Sequence, residues 1–448
     1  MNNKIDFING NTKKCLMVMT LPLIVAMFLN MAYNLVDSLW IGNLLGETAY
    51  AALTNSTPIV LLLTSIAMGS TNGVSILLSQ AIGSNDENLK KKLISTSFFL
   101  AVIFSLVVTV ILELALPNIL MLLNTPSEIF SMAKRYLSIY ILGYVAVYLY
   151  LYFSAVLRSF GNAMFQVIAM LISTLLNAVL DPLFINYFGF HGAAIATLLS
   201  QTVCLTFMFI YIFKGKLFKF SLSDFDKSLI SPLLKNAIPS VVQQSIPAIS
   251  TTFLTALVST YSISAIAAYG VTGKLETILF YPAMTLNMVL TSIIGQCYGA
   301  KRIDRAKDYL KTSLKYGIGL LILLTILIAV FSFQLSNLFV SSASVAQIVK
   351  EYFSIIAIGY VLNTVTNCYL GSLNGIGMPT KSMLLMIFYY IIVRMPLAYL
   401  LSYFNFGLSG IWVAILISHI VASVAADIVS RKYLRYKKTE EFILHPRS

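Results

Sequence analysis

The stretch STLLNAVLDPLF, Ser173–Phe184, sets an aspartate and a proline inside an otherwise apolar run. In a soluble protein, Asp181 followed by Pro182 would mark a helix end. Here the run extends on both sides, over 164–187, long enough to cross hydrocarbon as a helix. Runs of this kind recur along the whole chain. Of its 448 residues, 58% are hydrophobic and 10% are charged, where soluble domains carry about 25% charge. The chain reads as a polytopic helical membrane protein, and Asp181 as an acid inside the bilayer.

Working outward from this span, twelve are expected, at 16–41, 51–82, 93–116, 136–156, 164–187, 191–213, 236–259, 264–298, 316–335, 352–371, 382–404 and 408–430. Residues 1–15 are polar and the first apolar run is too long for a signal peptide, so that span is expected to serve as the insertion signal. Twelve spans put both termini on one side. Of the 30 Lys and Arg, 25 fall in the N-terminus, the loops after even-numbered spans and the tail. Lys134, Arg135 and Lys350 fall in loops on the opposite side, and Lys274 and Arg394 inside spans. The positive-inside rule makes both termini cytoplasmic in the cell membrane. It also accounts for the net charge of +13, so no nucleic-acid partner is expected. Cys15, Cys204, Cys297 and Cys368 form no CxxC, and His191, His419 and His445 lie apart from them. Neither a disulfide framework nor a metal cluster follows.

The longest polar connection, 214–235, falls at mid-chain and separates an N-terminal lobe, 1–213, from a C-terminal lobe, 236–430, with a tail at 431–448. A shift of 216 residues superimposes landmarks of the two. LSQAIGSND (78–86) falls on IGQCYGAKR (294–302), LRSFGNAMF (157–165) on LNGIGMPTK (373–381), and YAALT (50–54) on IAAYG (266–270). The LPL at 21–23 falls one residue out from IPS at 238–240. Six is an even number of spans, so the repeats share an orientation. The expected fold is all-α, with twelve transmembrane helices in two six-helix lobes related by a pseudo-two-fold axis along the membrane normal.

Five acids lie within spans: Asp37, Glu113, Asp181, Glu276 and Asp427. An Asp at a span centre costs about 2.5–3.5 kcal/mol on insertion scales, so each needs a reason. Glu113 and Asp427 lie near span ends, where snorkelling or a local ion pair suffices. Asp37 and Asp181 lie roughly 35 Å and roughly 28 Å from the cytoplasmic starts of their spans at 1.5 Å per residue. Both therefore fall at similar depth in the outer half. Asn30, Tyr33, Asn34 and Asp37 share one helix face, as do Asn177 and Asp181. Pro182 cannot donate to the Ala178 carbonyl, which is left free. Two carboxylates, an amide and a carbonyl make an all-oxygen set suited to a hard cation such as Na⁺. Like charges in low dielectric resist joint ionisation, so the same set also suits protons. The plain alternative is a structural polar knot between helices.

The segments YNLVDSLWIG, NAVLDPLFI, GAAIATLLSQ and ISAIAAYGVTGKLE through IIGQCYGAKRIDRAK resemble the multidrug and toxic compound extrusion family, in order and in both halves. The resemblance implies a secondary exporter of amphipathic, often cationic organic compounds, driven by Na⁺ or H⁺. It implies a cation site at Asp37, Asn177 and Asp181, with Tyr33 and the Thr197 hydroxyl beside it. Pro22 matches a proline at which span 1 bends, and Pro182 is a second hinge candidate. Some relatives carry a second acidic site on spans 7 and 10. Span 7 here has no acid and the span-10 position is Asn363, so no second ion is expected there.

Lys274, Glu276 and Arg394 fall near the midplane of the C-terminal lobe, either neutralising one another or, with Asn363, lining a substrate cavity. A lipid-linked precursor flippase of the same superfamily is the alternative, but it would want more cavity cations for a pyrophosphate than Lys274 and Arg394. No HExxH, GxSxG or P-loop marks an enzyme, and no charge ring or filter marks a channel. A monomer without cofactor is expected, with small organic substrates and membrane lipids as partners. At the shift of 216, Asp37 falls on Phe253, or on Leu254 if the one-residue shift persists, Asn177 on Val393 and Asp181 on Leu397. The acids thus occur on one side only.

The charge count generates a topology prediction. Single cysteines at 224 and in the tail should react with an impermeant maleimide only after permeabilisation, and one at 262 in intact cells. Labelling of the 214–235 connection from outside would overturn the twelve-span order.

Overall fold

In hydrocarbon every backbone N–H and C=O must be bonded within the chain, which leaves helices as the way to cross it for a sequence of long apolar runs. The computed structural model describes residues 5–123, 125–215, 217–340 and 342–436. The tail from 437, with His445, lies outside the described residues. Those described form helices and connections, with no strand among them.

The helices are α1 (Thr12–Gly46), α2 (Thr48–Gly83), α3 (Glu87–Leu122), α4 (Ser127–Leu142 and Tyr144–Ser159), α5 (Met164–Phe188), α6 (Phe190–Lys214), α7 (Ile230–Val258), α8 (Ile263–Gly299), α9 (Ile303–Asn337), α10 (Ala343–Gly375), α11 (Pro379–Tyr403) and α12 (Gly407–Tyr436). Eleven are long and apolar enough to cross a membrane, and α4 makes twelve if its two arms count as one span. Most run past the expected spans into polar sequence. Asp86 caps α3 by accepting from the Leu89 N–H at 2.9 Å, and Ser262 caps α8 through the Ala265 N–H at 3.0 Å.

Three departures from regular helix matter. α1 and α2 part at Gly46, whose φ of 79° favours glycine. α4, expected as one straight span, bends by 45° at Gly143. A Cβ on Gly143 would meet Leu198 Cδ1 at 2.5 Å, so its absence lets α6 press against the bend. In α11, Ile387–Arg394 is a π-helix between α-helical ends. Conversely, α1 runs on through Pro22 and α5 through Pro182 with helical backbone.

The helices form two compact units. One is Val18–Ile82 with Asp86–Ser245, and the other is Met1–Met17, Gly83–Asn85 and Ile246–Ser448. For brevity they are the N-terminal and C-terminal units. Each has its own aromatic core, around Tyr144, Tyr152 and Phe153 in the first and Tyr352, Tyr360 and Trp412 in the second. Outside the first core, Ile103, Val110 and Leu114 leave an apolar face of α3 exposed, Leu114 at 77%, as suits lipid.

Between helices in lipid, close backbone approach replaces the hydrophobic drive. GSTNG (69–73) places two glycines four residues apart on α2. A Cβ on Gly69 would meet Val241 Cα at 2.4 Å, and one on Gly73 would meet Ala237 Cα at 2.5 Å. The facing residues are themselves four apart on α7, so one helix seats along the other. Gly192 of α6 similarly lies against the Phe184 carbonyl of α5, where a Cβ would come within 2.0 Å.

The connection between α6 and α7 is packed onto the N-terminal unit. Phe220 stacks on Phe98 with ring centres 4.0 Å apart. Asp226 accepts from the Ser228 Oγ at 2.6 Å and N–H at 3.0 Å, and pairs with Lys92 at 3.0 Å. The serine hydroxyl first, then Lys92, hold the Asp226 carboxyl down at about 2.

Two predictions follow from this packing. Gly73→Leu should push α2 from α7 and lower the thermal midpoint in detergent, by about 1–3 kcal/mol of overpacking, while Gly270→Ala, which has open space around it, should change little. Asp226→Ala should expose the connection to trypsin at Lys227. Because the folded-state value is depressed from 3.8, this anchor persists above that value and is lost only as pH falls through about 2. Wild-type cleavage should therefore not vary between about pH 5 and 8 through this group.

Candidate functional site

Asp37 on α1 and Asp181 on α5 are 7% and 0% exposed. Their carboxyls lie close enough to act on each other directly. Asn177, one turn before Asp181 and fully buried, donates from Nδ2 to Asp181 Oδ1 at 2.9 Å. That bond fixes the amide with its own oxygen turned away. Tyr33, one turn before Asp37, and Thr197 on α6 bring their hydroxyls side by side, without a hydrogen bond of good geometry between them. The structure thus collects all five residues expected at the cation site, from three helices of the N-terminal unit.

Their oxygens have one feature in common. Tyr33 Oη, Asp37 Oδ1, Asn177 Oδ1, Asp181 Oδ2 and Thr197 Oγ1 are all buried, and none has a hydrogen-bond partner. Buried polar atoms are ordinarily satisfied. Five unsatisfied oxygens in one cluster, two of them from carboxylates, form a donor set for a hard cation or for protons. Nitrogen and sulfur ligands play no part: among the described residues no group of three His, Cys, Asp or Glu is placed to hold a metal.

Two residues escaped the reading from sequence. Tyr136 and Tyr140 of α4 lie in the same buried field, Tyr136 beside both Asp37 and Asp181. Tyr136 is held by stacking on Phe190 at 5.0 Å. The available signal was their spacing in YLSIY, one helical turn apart and in register with the expected site. Asn30 and Asn34 mostly serve each other, with Asn34 Nδ2 donating to the Asn30 carbonyl at 2.7 Å.

The remaining candidates separate. Lys274 is exposed and sits over the Phe339 ring, 5.1 Å from its centre. Residues two apart on a helix point away from each other, and Lys274 and Glu276 are such a pair. Arg394 is buried and Glu276 half-buried within the C-terminal unit. Asn363 is buried and joins an amide ladder instead, accepting from Asn367, which accepts in turn from Asn287 at 3.2 Å. Near the span ends, Asp427 pairs with Arg431 at 2.8 Å and Glu113 accepts from Ser138.

A polytopic helical scaffold with a buried oxygen cluster, repeated in outline within one chain, defines a membrane transporter. A family model described as MatE matches residues 22–183 and again 239–400, and the chain belongs to this family of multidrug and toxic compound extrusion transporters. Among curated relatives, the probable multidrug resistance protein YpnP of Bacillus subtilis is 29% identical over 98% of each chain. A FAD transporter of Shewanella oneidensis is 26% identical over 96% of this chain and 97% of its own. The multidrug export protein MepA of Staphylococcus aureus is 23% identical over 93% of each. The fold matches a crystal structure of MATE in complex with MaL6, with a TM-score of 0.93 at 24% identity over 98% of this chain and all of that one.

The two family matches begin 217 residues apart and end 217 apart, while the landmarks between them lie 216 apart. The π-helix explains the difference within α11. An i→i+5 turn holds one more residue than an α turn, and Ile387–Arg394 falls between the landmark at 373–381 and the end of the match. Past it, a shift of 217 would set Asp181 on Ala398, the neighbour of Leu397.

Proposed function

We propose that the protein is a cation-coupled exporter of amphipathic, often cationic organic compounds, working by alternating access in the cell membrane. The observation that carries this reading is the pair of buried carboxyls at Asp37 and Asp181, each with an oxygen that has no donor. The relatives named for multidrug resistance and export support the substrate class. Na⁺ or H⁺ is the coupling ion, with Asn177, Thr197 and Tyr33 completing its oxygen set. Pro182, next to Asp181, and Pro22, about four turns before Asp37 on α1, are the hinge candidates. Both termini are cytoplasmic, the six-helix lobes at 1–213 and 236–430 are joined by a cytoplasmic linker, and the monomer is the working unit.

The chemistry asks little of the scaffold. Two like charges in low dielectric need a counter-charge. Binding a proton or Na⁺ from outside cancels one of the two negative charges and relieves their mutual repulsion, and its release to the cytoplasm restores that repulsion. Coupling arises if substrate and ion favour different conformations.

Asp37→Asn and Asp181→Asn should each abolish gradient-driven transport of a fluorescent organic cation into or out of proteoliposomes, with binding in detergent retained. The double variant should be little worse than either single one, since both act through one exchange. Na⁺ and pH gradients imposed separately identify the ion. Wild-type coupling in either single variant would exclude this assignment.

A further inference from the structure

A hydroxyl buried in a membrane helix can settle on its own backbone, one turn back. Ser56, Thr71, Ser159 and Thr174 do so here, donating to the carbonyls of Ala52, Ala67, Ala155 and Met170 at 2.8–2.9 Å. Ser154, Ser173 and Ser200 do not. All three are buried, and each Oγ is without a partner. So is Gln166 Oε1. A small residue kept only for close packing would not hold its hydroxyl off the helix in this way.

These groups form one stripe that begins at the acids. α5 and α6 run antiparallel, and Cys204 Sγ donates to the Ala169 carbonyl at 3.3 Å. Four residues back along α6 and four on along α5, that register sets Ser200 opposite Ser173, and a further turn sets Thr197 beside Asn177. From α4, Tyr150 Oη donates to Met170 Sδ at 3.7 Å and has Ser154, Gln166 and Cys204 around it. Polar groups thus continue from Asp181 to the level of Gln166, about 22 Å along α5 at 1.5 Å per residue, toward the end that the charge count makes cytoplasmic. Arg158, one turn past Ser154, closes the stripe. It is 3% exposed, its Nε has no acceptor, and no ion pair reaches it among the described residues.

The repeat sets the stripe apart. At the shift of 216, Ser154 falls on Leu370, Ser173 on Tyr389, and Ser200 on Leu416, or on Ile417 past the inserted residue. Gln166 keeps a polar counterpart in Ser382. The three serines therefore accompany the like-charged acids, in the unit that holds them.

We propose that this stripe is a proton route between the Asp37–Asp181 pair and the cytoplasm, running inside the N-terminal unit between α4, α5 and α6. It rests on the exporter reading and names H⁺ as the coupling ion. A hydroxyl both accepts and donates. Along serines and bridging waters, each oxygen takes a proton on one side and releases another on the other. The carboxyl pair loses one proton, the cytoplasm gains one, and every hydroxyl is restored. A hard metal cation needs several oxygens around it at once, which single hydroxyls spaced along the helices do not supply. Arg158 holds a fixed positive charge at the inner end, which opposes idle passage of cations between cycles.

The test is transport of a fluorescent organic cation by the full chain in proteoliposomes under a pH gradient, with substrate-free proton leak read by a trapped pH dye. Ser154 lies far from the acids, so its variants report on the route and not on the ion site. Ser154→Val should slow pH-driven transport by about tenfold. Ser154→Thr, of the same shape but with a hydroxyl, should run near the wild-type rate. Ser200→Val and Ser200→Thr should divide in the same way. Rates are taken per molecule that binds the cation in detergent, so misfolded protein does not count. Arg158→Gln should raise the leak by about tenfold, and Arg158→Lys, which keeps the charge, should not. Equal rates in the Val and Thr members of both pairs, fast or slow, would overturn the proposal. So would a wild type driven by Na⁺ and indifferent to pH, or a leak in Arg158→Gln no greater than that of Arg158→Lys. Wild-type coupling in Asp37→Asn, measured beside them, would instead count against the exporter reading itself.

Discussion

Hydrocarbon offers no hydrogen bonds, and this single property governs the protein at each scale. It forces the backbone into helices. It makes Gly69, Gly73 and Gly192 useful, because helices that meet without a hydrophobic drive gain by approaching backbone to backbone. It also makes every buried polar side chain expensive. An unsatisfied buried polar group costs about 1–3 kcal/mol. Five such oxygens sit together at Tyr33, Asp37, Asn177, Asp181 and Thr197. A cluster that takes up a cation or a proton is compensated whenever it is loaded, and its cost becomes the driving force for loading.

The same reasoning separates the two units. The scaffold repeats, and the tyrosines repeat with it, Tyr136 with Tyr352 and Tyr144 with Tyr360. Their partners diverged. In one unit Tyr136 lies beside two carboxyls of like sign. In the other Tyr352 donates to a single carboxylate that shares its surroundings with a guanidinium. A phenol can serve either arrangement, since its O–H donates to an anion and its ring accepts a cation at its face. The frame was kept while the charges around it changed.

How much of this the sequence made legible depends on the length of the signal. Long apolar runs with polar breaks gave the helices, because hydropathy over about twenty residues averages out local noise. The acids at Asp37 and Asp181 stood out because charge in such runs is rare. The bend at Gly143 did not, since one glycine in an apolar run looks the same whether or not a neighbour such as Leu198 presses against it. The π segment left only a one-residue change of register between the repeats. Tyr136 and Tyr140 were hidden because aromatic residues at helical spacing are ordinary core. Lys274 is different: its separation from Glu276 by two positions turns it to another face of α8, which depth alone does not show.

Like and opposite charge pairs also respond differently to an ion. Two carboxyls change their demand for a cation by a whole charge when one arrives or leaves, so their surroundings are coupled to that event. A carboxylate and a guanidinium are balanced in advance, and a small cation that neutralised the first would strand the second. The Glu276 and Arg394 arrangement is therefore poorly suited to exchanging a coupling ion. Asp37 and Asp181 have the reverse property. The two units thus differ in the sign of one residue in each pair, on a helical frame that is otherwise shared.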